Sequence, residues 1–242
     1  MTRLSVNINK VALIRNSRGE SRPDLISFAK DCERYGAQGI TVHPRPDERH
    51  IRYADLQPLK EVVSTEFNIE GYPNDKFVDK VCEVKPHQVT LVPDPPGVLT
   101  SSEGWDTVAH KAILVDVIKK FKDNGIRVSL FLEADEEAVV AASKTGTDRI
   151  EFYTGRYAKG YEVDRDSAVK QHVLAARKAS ELGLGVNAGH DLDLNNLNFY
   201  VKEVPSLLEV SIGHALISDC LYYGLQNVVQ MYLHQINLNL TK

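Results

Sequence analysis

Apolar and polar residues alternate in eight short segments of the chain, the first of which sets Leu4, Val6 and Ile8 against Ser5 and Asn7. An alternation with a period of two is typical of β-strands with one buried face. The strands predicted in this way cover residues 4–9, 39–43, 67–70, 88–92, 127–131, 149–153, 185–187 and 209–212.

Each predicted strand is followed by a stretch in which apolar residues recur every three or four positions, as in an amphipathic helix. The last stretch places Ile217, Leu221, Leu225, Val228 and Tyr232 on one stripe and predicts one continuous helix. The predicted helices cover residues 25–35, 54–64, 75–84, 108–124, 136–145, 166–182, 195–202 and 217–233.

Eight consecutive βα units in 242 residues predict an α/β protein with a (β/α)8 barrel, also called a TIM barrel. An open, doubly wound sheet is the alternative. No Gly-, Ser- or Pro-rich linker divides the sequence, so we expect residues 1–242 to form a single domain. In a barrel the polar face of each strand lines the lumen, so we expect His43 and Glu70 to point inward, into a hydrogen-bonded interior or a deep wet pocket.

The composition and charge of the chain argue against several classes of binding partner. The net charge of −4 and the pI of about 6.1 provide no basic surface for nucleic acid. No run of 18 apolar residues predicts a membrane span and no secretion signal is visible, so we expect a cytoplasmic protein without a membrane partner. Cys32, Cys82 and Cys220 are widely spaced and lack a CxxC motif, which favours reduced thiols over disulfides or a zinc site.

Residues 39–51, GITVHPRPDERHI, combine a strand with a rigid turn. Pro44 and Pro46 end the strand, because proline cannot extend a sheet ladder. His43, Arg45 and His50 are therefore expected at the end of a strand, where barrel enzymes have their active sites. Histidine and carboxylate side chains such as His43 and Glu70 transfer protons near neutral pH, although a lone inward histidine is more often structural.

Two similar phrases, NAGHD at 187–191 and SIGHA at 211–215, follow the seventh and eighth predicted strands. The loops at these positions commonly bind phosphate in this fold, and glycine lets backbone N–H groups approach an anion. The alternative is that the glycines only permit helix-start turns. Arg15, Arg18 and Arg45 are further candidates for phosphate contacts. Residues 93–104, which include Thr100, lack periodicity and are expected to form a lid.

The chain resembles the pyridoxine 5′-phosphate synthase family, whose members close the pyridine ring of vitamin B6 in the deoxyxylulose-dependent route. The resemblance extends over essentially the whole chain. It rests on the phrases VNIN, LIRNSRG, GITVHPRPDERHI, NIEGY, LVPD, VSLFLEADEE, IEFYTGRYA, GLGVNAGHDL and SIGHALI. It implies a (β/α)8 barrel with additional helices, assembled as a homo-octamer.

The resemblance implies two phosphorylated substrates, 3-amino-2-oxopropyl phosphate and 1-deoxy-D-xylulose 5-phosphate, and neither a cofactor nor a metal. His43 and Glu70 match the family's proton acceptors and His190 matches its proton donor. The positions that match the family's aminoketone-phosphate ligands are Asn7, Arg18, Gly213 and His214. The positions that match its sugar-phosphate ligands are Arg45, His50 and Thr100.

Three positions depart from the family pattern. Asn9 and Lys10 stand where an aspartate-histidine pair is common, and Asp191 stands where a glycine commonly follows the motif histidine. We expect Asn9, Lys10 and Asp191 to remain substrate-binding positions. Because a carboxylate would repel a phosphate, we expect the Asp191 backbone N–H to serve, with its side chain turned away or capping the next helix.

Two other functions remain open from the residues alone. Histidines and Glu70 at a barrel mouth could bind a divalent metal, as in a metal-dependent sugar-phosphate isomerase, although a dense set of inward carboxylates is missing. The chain could also be a non-catalytic protein that binds phosphorylated metabolites, because a fold and a binding site do not establish chemistry.

Overall fold

Eight parallel strands pair in chain order, and the eighth pairs with the first to close a barrel. The computed structural model describes residues 1–19, 21–94 and 103–238. The (β/α)8 prediction is confirmed, and the alternative of an open sheet is wrong. The strands are β1 Arg3–Asn7, β2 Gly39–Val42, β3 Glu66–Gly71, β4 Gln88–Leu91, β5 Arg127–Leu132, β6 Arg149–Tyr153, β7 Gly185–His190 and β8 Leu207–Ile212.

Helices surround the barrel, and several begin at side-chain caps that the sequence contains. Asp24, Asn74 and Asp135 each accept a hydrogen bond from the backbone N–H three residues later, as preferred N-cap residues do. The helices are α1 Asn9–Asn16, α2 Leu25–Arg34, α3 Leu56–Val62, α4 Asp75–Val84, α5 Lys111–Asp123, α6 Glu136–Ser143, α7 Gly155–Glu181, α8 Leu197–Glu203, α9 His214–Tyr223 and α10 Leu225–Asn237. Within the described ranges, none of the helices combines the length and apolar composition needed to cross a bilayer.

The predicted continuous helix over 217–233 is wrong. Gly224 has φ of +76°, a backbone conformation that favours glycine, and it separates α9 from α10. Leu221, which the stripe placed on the buried face, is 75% exposed. The apolar spacing alone concealed this break, because the two helices continue the pattern on either side of the turn.

Two other element boundaries differ from the prediction. The first strand ends at Asn7 and α1 begins at Asn9. The Asn7 side-chain oxygen accepts a hydrogen bond of 3.0 Å from the Asn9 backbone N–H. Helix α7 begins at Gly155 and bends at Asp164, which has non-helical backbone angles. The Asp164 carboxylate accepts a hydrogen bond from the Ser167 N–H and thereby caps the segment that the sequence predicted.

The main apolar core lies between the barrel and the helices. Leu4, Ile40, Phe67, Val89 and Val128 project outward from their strands and are fully buried. Each such side chain contributes about 1.5–3 kcal/mol by leaving water. The apolar half of the strand alternation therefore supplies the free energy that holds the helices against the barrel.

The polar half of the alternation lines the lumen. In its middle, Ser5 and Thr41 share a hydrogen bond of 2.7 Å, and Asn68 bonds both Thr41 and Thr90. Nearer the N-terminal ends of the strands is a group of charged side chains, here called the lower layer, that comprises Arg3, Glu66, Arg127, Arg149 and Glu209. The predicted hydrogen-bonded interior is confirmed.

Candidate active site

A cavity of about 600 Å³ opens at the C-terminal ends of the strands. This is the end at which the active sites of (β/α)8 enzymes lie. The sequence-predicted residues that line the cavity are Asn7, Asn9, Lys10, His43, Arg45, His50, Glu70, His190, Asp191, Gly213 and His214.

Two predicted substrate-binding residues are not found there. Arg18 lies in the turn after α1, where its side chain is exposed, and it is not part of the described cavity wall. Thr100 lies outside the described residues, as does most of the predicted lid over 93–104. Arg15, also a candidate for a phosphate contact, is instead buried in an ion pair with Asp55 at 2.7 Å.

His43 and Glu70 face each other at the cavity wall, with 3.9 Å between His43 Nδ1 and Glu70 Oε2. Asn7 donates a hydrogen bond of 3.4 Å from Nδ2 to Glu70 Oε2. Asn9 accepts one of 2.8 Å from the His43 backbone N–H. The two asparagines that follow the first apolar alternation therefore position the histidine and the glutamate that the sequence singled out.

Burial shifts both members of this pair toward their neutral forms. It raises the pKa of Glu70 to about 8, although the positive charge of Arg45 opposes the shift. It also lowers the pKa of His43 well below its ordinary value, and the nearby charge of Arg45 adds to this effect. At neutral pH the pair therefore consists of a protonated carboxyl group and a neutral imidazole.

Arg45 and His50 extend the site away from this pair. Arg45 forms a buried ion pair with Asp94, with 3.0 Å between Nη2 and Oδ2. His50 Nδ1 accepts a hydrogen bond of 2.9 Å from the Ile51 backbone N–H, so a neutral His50 carries its proton on Nε2. Burial, Arg45 and Lys10 lower the pKa of His50 to about 4. His50 therefore offers the cavity a neutral N–H donor.

His190 and Asp191 lie on another part of the cavity wall. The sequence placed His190 after the seventh strand. In the structure it is the last residue of β7. The prediction that the Asp191 side chain turns away or caps the next helix is wrong, because its Oδ2 lies 3.0 Å from His190 Nδ1. The Asp191 backbone N–H donates to Thr154 Oγ1 at 3.3 Å.

Gly213 and His214 lie where β8 passes into α9. A Cβ atom at Gly213 would be 3.1 Å from the Asn7 side chain, so glycine permits this close approach between β8 and β1. His214 is the first residue of α9, and backbone N–H groups at the start of a helix attract anions. The second Gly-His phrase is thus at a position suited to phosphate.

The family model described as "Pyridoxal phosphate biosynthesis protein PdxJ" matches residues 4–238 of the chain. The chain belongs to this family. Curated relatives include proteins named pyridoxine 5′-phosphate synthase from Cytophaga hutchinsonii, 56% identical over 98% of this chain and 99% of that protein, and from Parabacteroides distasonis, 57% identical over 98% and 100%.

Solved structures outside the PdxJ family share the barrel. A 3-keto-L-gulonate-6-phosphate decarboxylase from Vibrio cholerae has a TM-score of 0.66 at 9% identity, over 98% of each chain. A phosphoribosyl anthranilate isomerase from Thermotoga maritima has a TM-score of 0.60 at 11% identity, over 98% of this chain and 99% of that one. At such identities the likeness shows the fold alone.

Residues that the sequence did not select also line the cavity of this PdxJ-family chain. The most notable is Glu151, because burial and then the charge of Glu70 raise its pKa well above the ordinary value. Its position on the inward side of β6 was visible in the strand alternation. The remaining unselected lining residues are Leu13, Arg49, Val92, Phe131 and Ser211. Arg49 and Ser211 are polar, but nothing in the local sequence pattern distinguished them from other arginines and serines.

Within residues 1–19, 21–94 and 103–238, no group of three or more His, Cys, Asp or Glu side chains is arranged to hold a metal ion.

Proposed function

We propose that this chain is a pyridoxine 5′-phosphate synthase, a ring-closing transferase of vitamin B6 biosynthesis. It would condense 3-amino-2-oxopropyl phosphate with 1-deoxy-D-xylulose 5-phosphate and release phosphate and water. The observation that carries this proposal is the buried His43–Glu70 pair, whose members are both shifted toward neutrality, in a cavity that also contains His190. Membership of the PdxJ family supports the same conclusion.

The reaction needs repeated proton transfers. Addition of an amine to a ketone, loss of water, formation of an enamine and ring closure each move a proton between carbon, nitrogen or oxygen and a catalytic group. In our proposal neutral His43 accepts a proton first, while Glu70 donates the proton that burial retains on it and accepts one in a later step. His190 acts as the proton donor to a departing oxygen.

The two phosphate groups would be held by separate parts of the wall. We propose that Asn7, Gly213 and His214 contact the aminoketone phosphate, together with Arg18 if that side chain turns inward. Arg45 and His50 would contact the sugar phosphate, with Thr100 as a further predicted contact. We keep Asn9, Lys10 and Asp191 as substrate-binding residues, because all three also line the cavity. Charge-assisted hydrogen bonds from Arg45 and Lys10 would favour an anionic substrate.

The proposal is tested by mixing the purified protein with both phosphorylated substrates, without added metal, and following product by absorbance and mass. We expect pyridoxine 5′-phosphate to form, and His43→Ala to abolish it. His234→Ala is the matched control, because His234 lies on the exposed surface of α10. Absence of product from folded wild-type protein that still binds a substrate would contradict the proposal.

Two further measurements separate the alternatives. Activity that survives dialysis against a chelator would exclude a metal-dependent isomerase. Glu70→Gln should lose turnover while keeping its affinity for phosphate, because the amide preserves the shape of the side chain but cannot exchange a proton. A non-catalytic binding protein would show no turnover to lose.

Three coarser properties are also proposals. We propose that the chain forms one domain, acts in the cytoplasm and assembles as a homo-oligomer, specifically an octamer. In support of assembly, Leu221, Tyr222 and Tyr223 at the end of α9 are exposed apolar or aromatic residues. Light scattering during size-exclusion chromatography should give an octameric mass, and Tyr222→Glu should reduce that mass.

A further inference from the structure

The side chains of His190 and Asp191 are in contact at the cavity wall. The distance between His190 Nδ1 and Asp191 Oδ2 is 3.0 Å, and the two side chains are 30% and 43% exposed. His190 has φ of +97°, which non-glycine residues rarely adopt. This turn at the end of β7 brings two consecutive side chains, which would alternate in a regular strand, to the same place.

The backbone of Asp191 is fixed on both sides. Its N–H donates to Thr154 Oγ1, and Thr154 Oγ1 in turn donates to the Gly189 carbonyl at 2.7 Å. Its carbonyl accepts a hydrogen bond of 3.3 Å from Asn196 Nδ2. Tyr157 then donates a hydrogen bond of 2.6 Å to the Asn196 carbonyl. These contacts restrict where the Asp191 carboxylate can lie.

Neighbouring residues leave room for this arrangement. A Cβ atom at Gly155 would be 2.8 Å from Asp191 Oδ2 and would overlap the Tyr153 hydroxyl, so a side chain there would displace the carboxylate. The edge of the Tyr153 ring also packs against the His190 ring, with 5.4 Å between centroids and 75° between planes. The imidazole is therefore held by an aromatic contact and by a carboxylate.

A carboxylate oxygen 3.0 Å from Nδ1 favours the tautomer that carries a proton on that atom, and it leaves Nε2 to face a ligand. We propose that Asp191 is a positioning residue that orients the His190 ring, so that Nε2–H serves as the proton donor. This role rests on the proposed function. In the step, the proton moves from Nε2 to the departing oxygen, and the electron pair of the N–H bond stays on Nε2.

Other titratable groups also act on this pair. Lys159 in α7 and His214 in α9 are close enough to affect Asp191, and Tyr153 contacts His190. The other cavity-lining groups that could respond to its charge include Glu151, Glu70 and His43. A test must therefore distinguish the adjacent carboxylate from a general change in charge at this end of the barrel.

The test follows the ¹⁵N signals of histidine as a function of pH in the full-length protein, with His190→Gln used to identify the His190 resonances among those of eight histidines. Asp191→Asn keeps an oxygen beside Nδ1 but removes the charge. We expect the neutral ring to keep the Nδ1–H tautomer in this variant. In Asp191→Ala, which removes the acceptor, the neutral ring should lose its preference for that tautomer.

Glu133→Gln is the matched control. Glu133 is a partly buried carboxylate just after β5, and it pairs with Arg156 at 3.5 Å rather than with His190. We expect this variant to keep the wild-type tautomer of His190, because the Glu133 carboxylate pairs with Arg156. An unchanged tautomer in Asp191→Ala, or an equal change in Glu133→Gln, would overturn the proposal.

Steady-state kinetics separates positioning from substrate binding. We expect Asp191→Asn to lower kcat at least about tenfold, since proton donation is weakened. KM should change little, because the cavity keeps its shape and the backbone N–H to which we assign the substrate contact of this residue is unchanged. A change confined to KM would overturn the positioning role. If the wild-type protein forms no pyridoxine 5′-phosphate, the proposed function fails, whereas the ¹⁵N signals still decide whether Asp191 sets the tautomer of His190.

Discussion

Glu66 and Glu70 lie on the same strand and face the same lumen, yet their surroundings shift their pKa values in opposite directions. Burial tends to raise the pKa of Glu66, but its contacts with Arg127 and Arg3 outweigh burial and lower that pKa. Burial dominates at Glu70 and raises its pKa to about 8. At neutral pH the same strand therefore carries an ionised carboxylate at Glu66 and a protonated carboxyl group at Glu70.

The lower layer satisfies its charges internally. Glu66 contacts Arg127 and lies 2.9 Å from Arg3, and Arg127 also donates to Gln88 at 2.9 Å. Glu209 completes the group, and burial together with the charge of Glu66 raises its pKa to about 8. One ionised and one protonated carboxyl therefore share the guanidinium groups, an arrangement suited to stability rather than to chemistry.

The cavity end has a different balance. Arg45 is the cation that acts on Glu70, but its ion pair at 3.0 Å is with Asp94. Glu70 instead has Asn7 and the neutral imidazole of His43 as neighbours. A carboxyl group that burial keeps protonated, next to a base, can exchange protons with a ligand. The comparison therefore teaches that contact with guanidinium groups keeps Glu66 ionised, whereas Glu70, which lacks such a contact among the described residues, is kept neutral by burial.

The largest expected effect is on turnover. Glu70→Gln should reduce kcat by about 10²–10⁴-fold, because the amide cannot take part in acid-base catalysis. Glu66→Gln should leave the kcat of the folded fraction within about threefold of wild type, since it lies outside the cavity lining. Product formation by both variants is compared at matched folded concentration. Equal losses would mean that the two carboxylates have the same role.

The stability of the two variants, measured by unfolding in urea, should differ in the opposite sense to their turnover. Glu66→Gln should lower the free energy of unfolding by about 1–3 kcal/mol, because Arg3 and Arg127, whose side chains are 34% and 30% exposed, lose the carboxylate that they contact. The Glu66 side chain is only 6% exposed, so water replaces little of the lost interaction. A loss below about 1 kcal/mol would show that the lower layer rearranges around the amide.

The pH dependence of stability should differ in sign between the two positions. Folded Glu70 retains a proton that the unfolded chain loses above its ordinary pKa of 4.5, so its contribution to stability falls as the pH rises toward about 8. Glu70→Gln should therefore gain stability relative to wild type between about pH 5 and pH 8. The pKa of folded Glu66 is lowered, so its contribution is present above pH 4.5 and is lost in acid.

The cost of Glu66→Gln should consequently be greatest above about pH 4.5 and smaller in more acidic solution. Urea unfolding of both variants and wild type across this range measures the two trends. Differences in stability report each carboxyl group together with the neighbour on which its charge acts, which is Glu209 for Glu66 and Glu151 for Glu70. Parallel trends would contradict the assignment of an acid at one position and an ion at the other.

The alternation of apolar and polar residues along each strand predicted which side chains face the lumen of the barrel. The alternation of Phe67 and Ile69 with Glu70 correctly indicated an inward carboxyl group, because a period of two determines which face a side chain joins. The same rule applied to Glu151, whose place in the cavity wall could have been predicted. By contrast, the break at Gly224 was hidden, since apolar spacing does not report the sign of φ.

Contacts between distant segments could not be predicted. Arg45 was expected to be available for phosphate, but its pairing with Asp94 depends on how the loops after β2 and β4 meet. The shift in the pKa of Glu70 likewise requires knowledge of burial in three dimensions. The Asp191–His190 contact depends on a positive φ at a histidine, which no local pattern indicates.

Alanine substitutions at two glycines should give the smallest effects on stability and turnover. One glycine lies at the cavity and the other in the middle of the lumen. A Cβ atom at Gly189 would overlap Glu151 Oε1 and lie 3.2 Å from the Ser211 carbonyl, whereas one at Gly39 would lie 2.9 Å from Ser5 Oγ in the middle of the lumen. Each alanine variant should cost about 1–3 kcal/mol of stability through overpacking. Only Gly189→Ala should also reduce kcat, because it displaces a cavity-lining glutamate.

A double-mutant cycle identifies the cause of that loss. Because Glu151→Ala removes the atom that the new methyl group would meet, Gly189→Ala should cost less stability in that background by about 0.5–3 kcal/mol, the usual coupling between contacting residues. Gly39→Ala should cost the same with or without Glu151. Coupling at Gly39 as strong as at Gly189 would mean that the lumen responds to added volume as one unit, and that its structural and chemical parts are not independent.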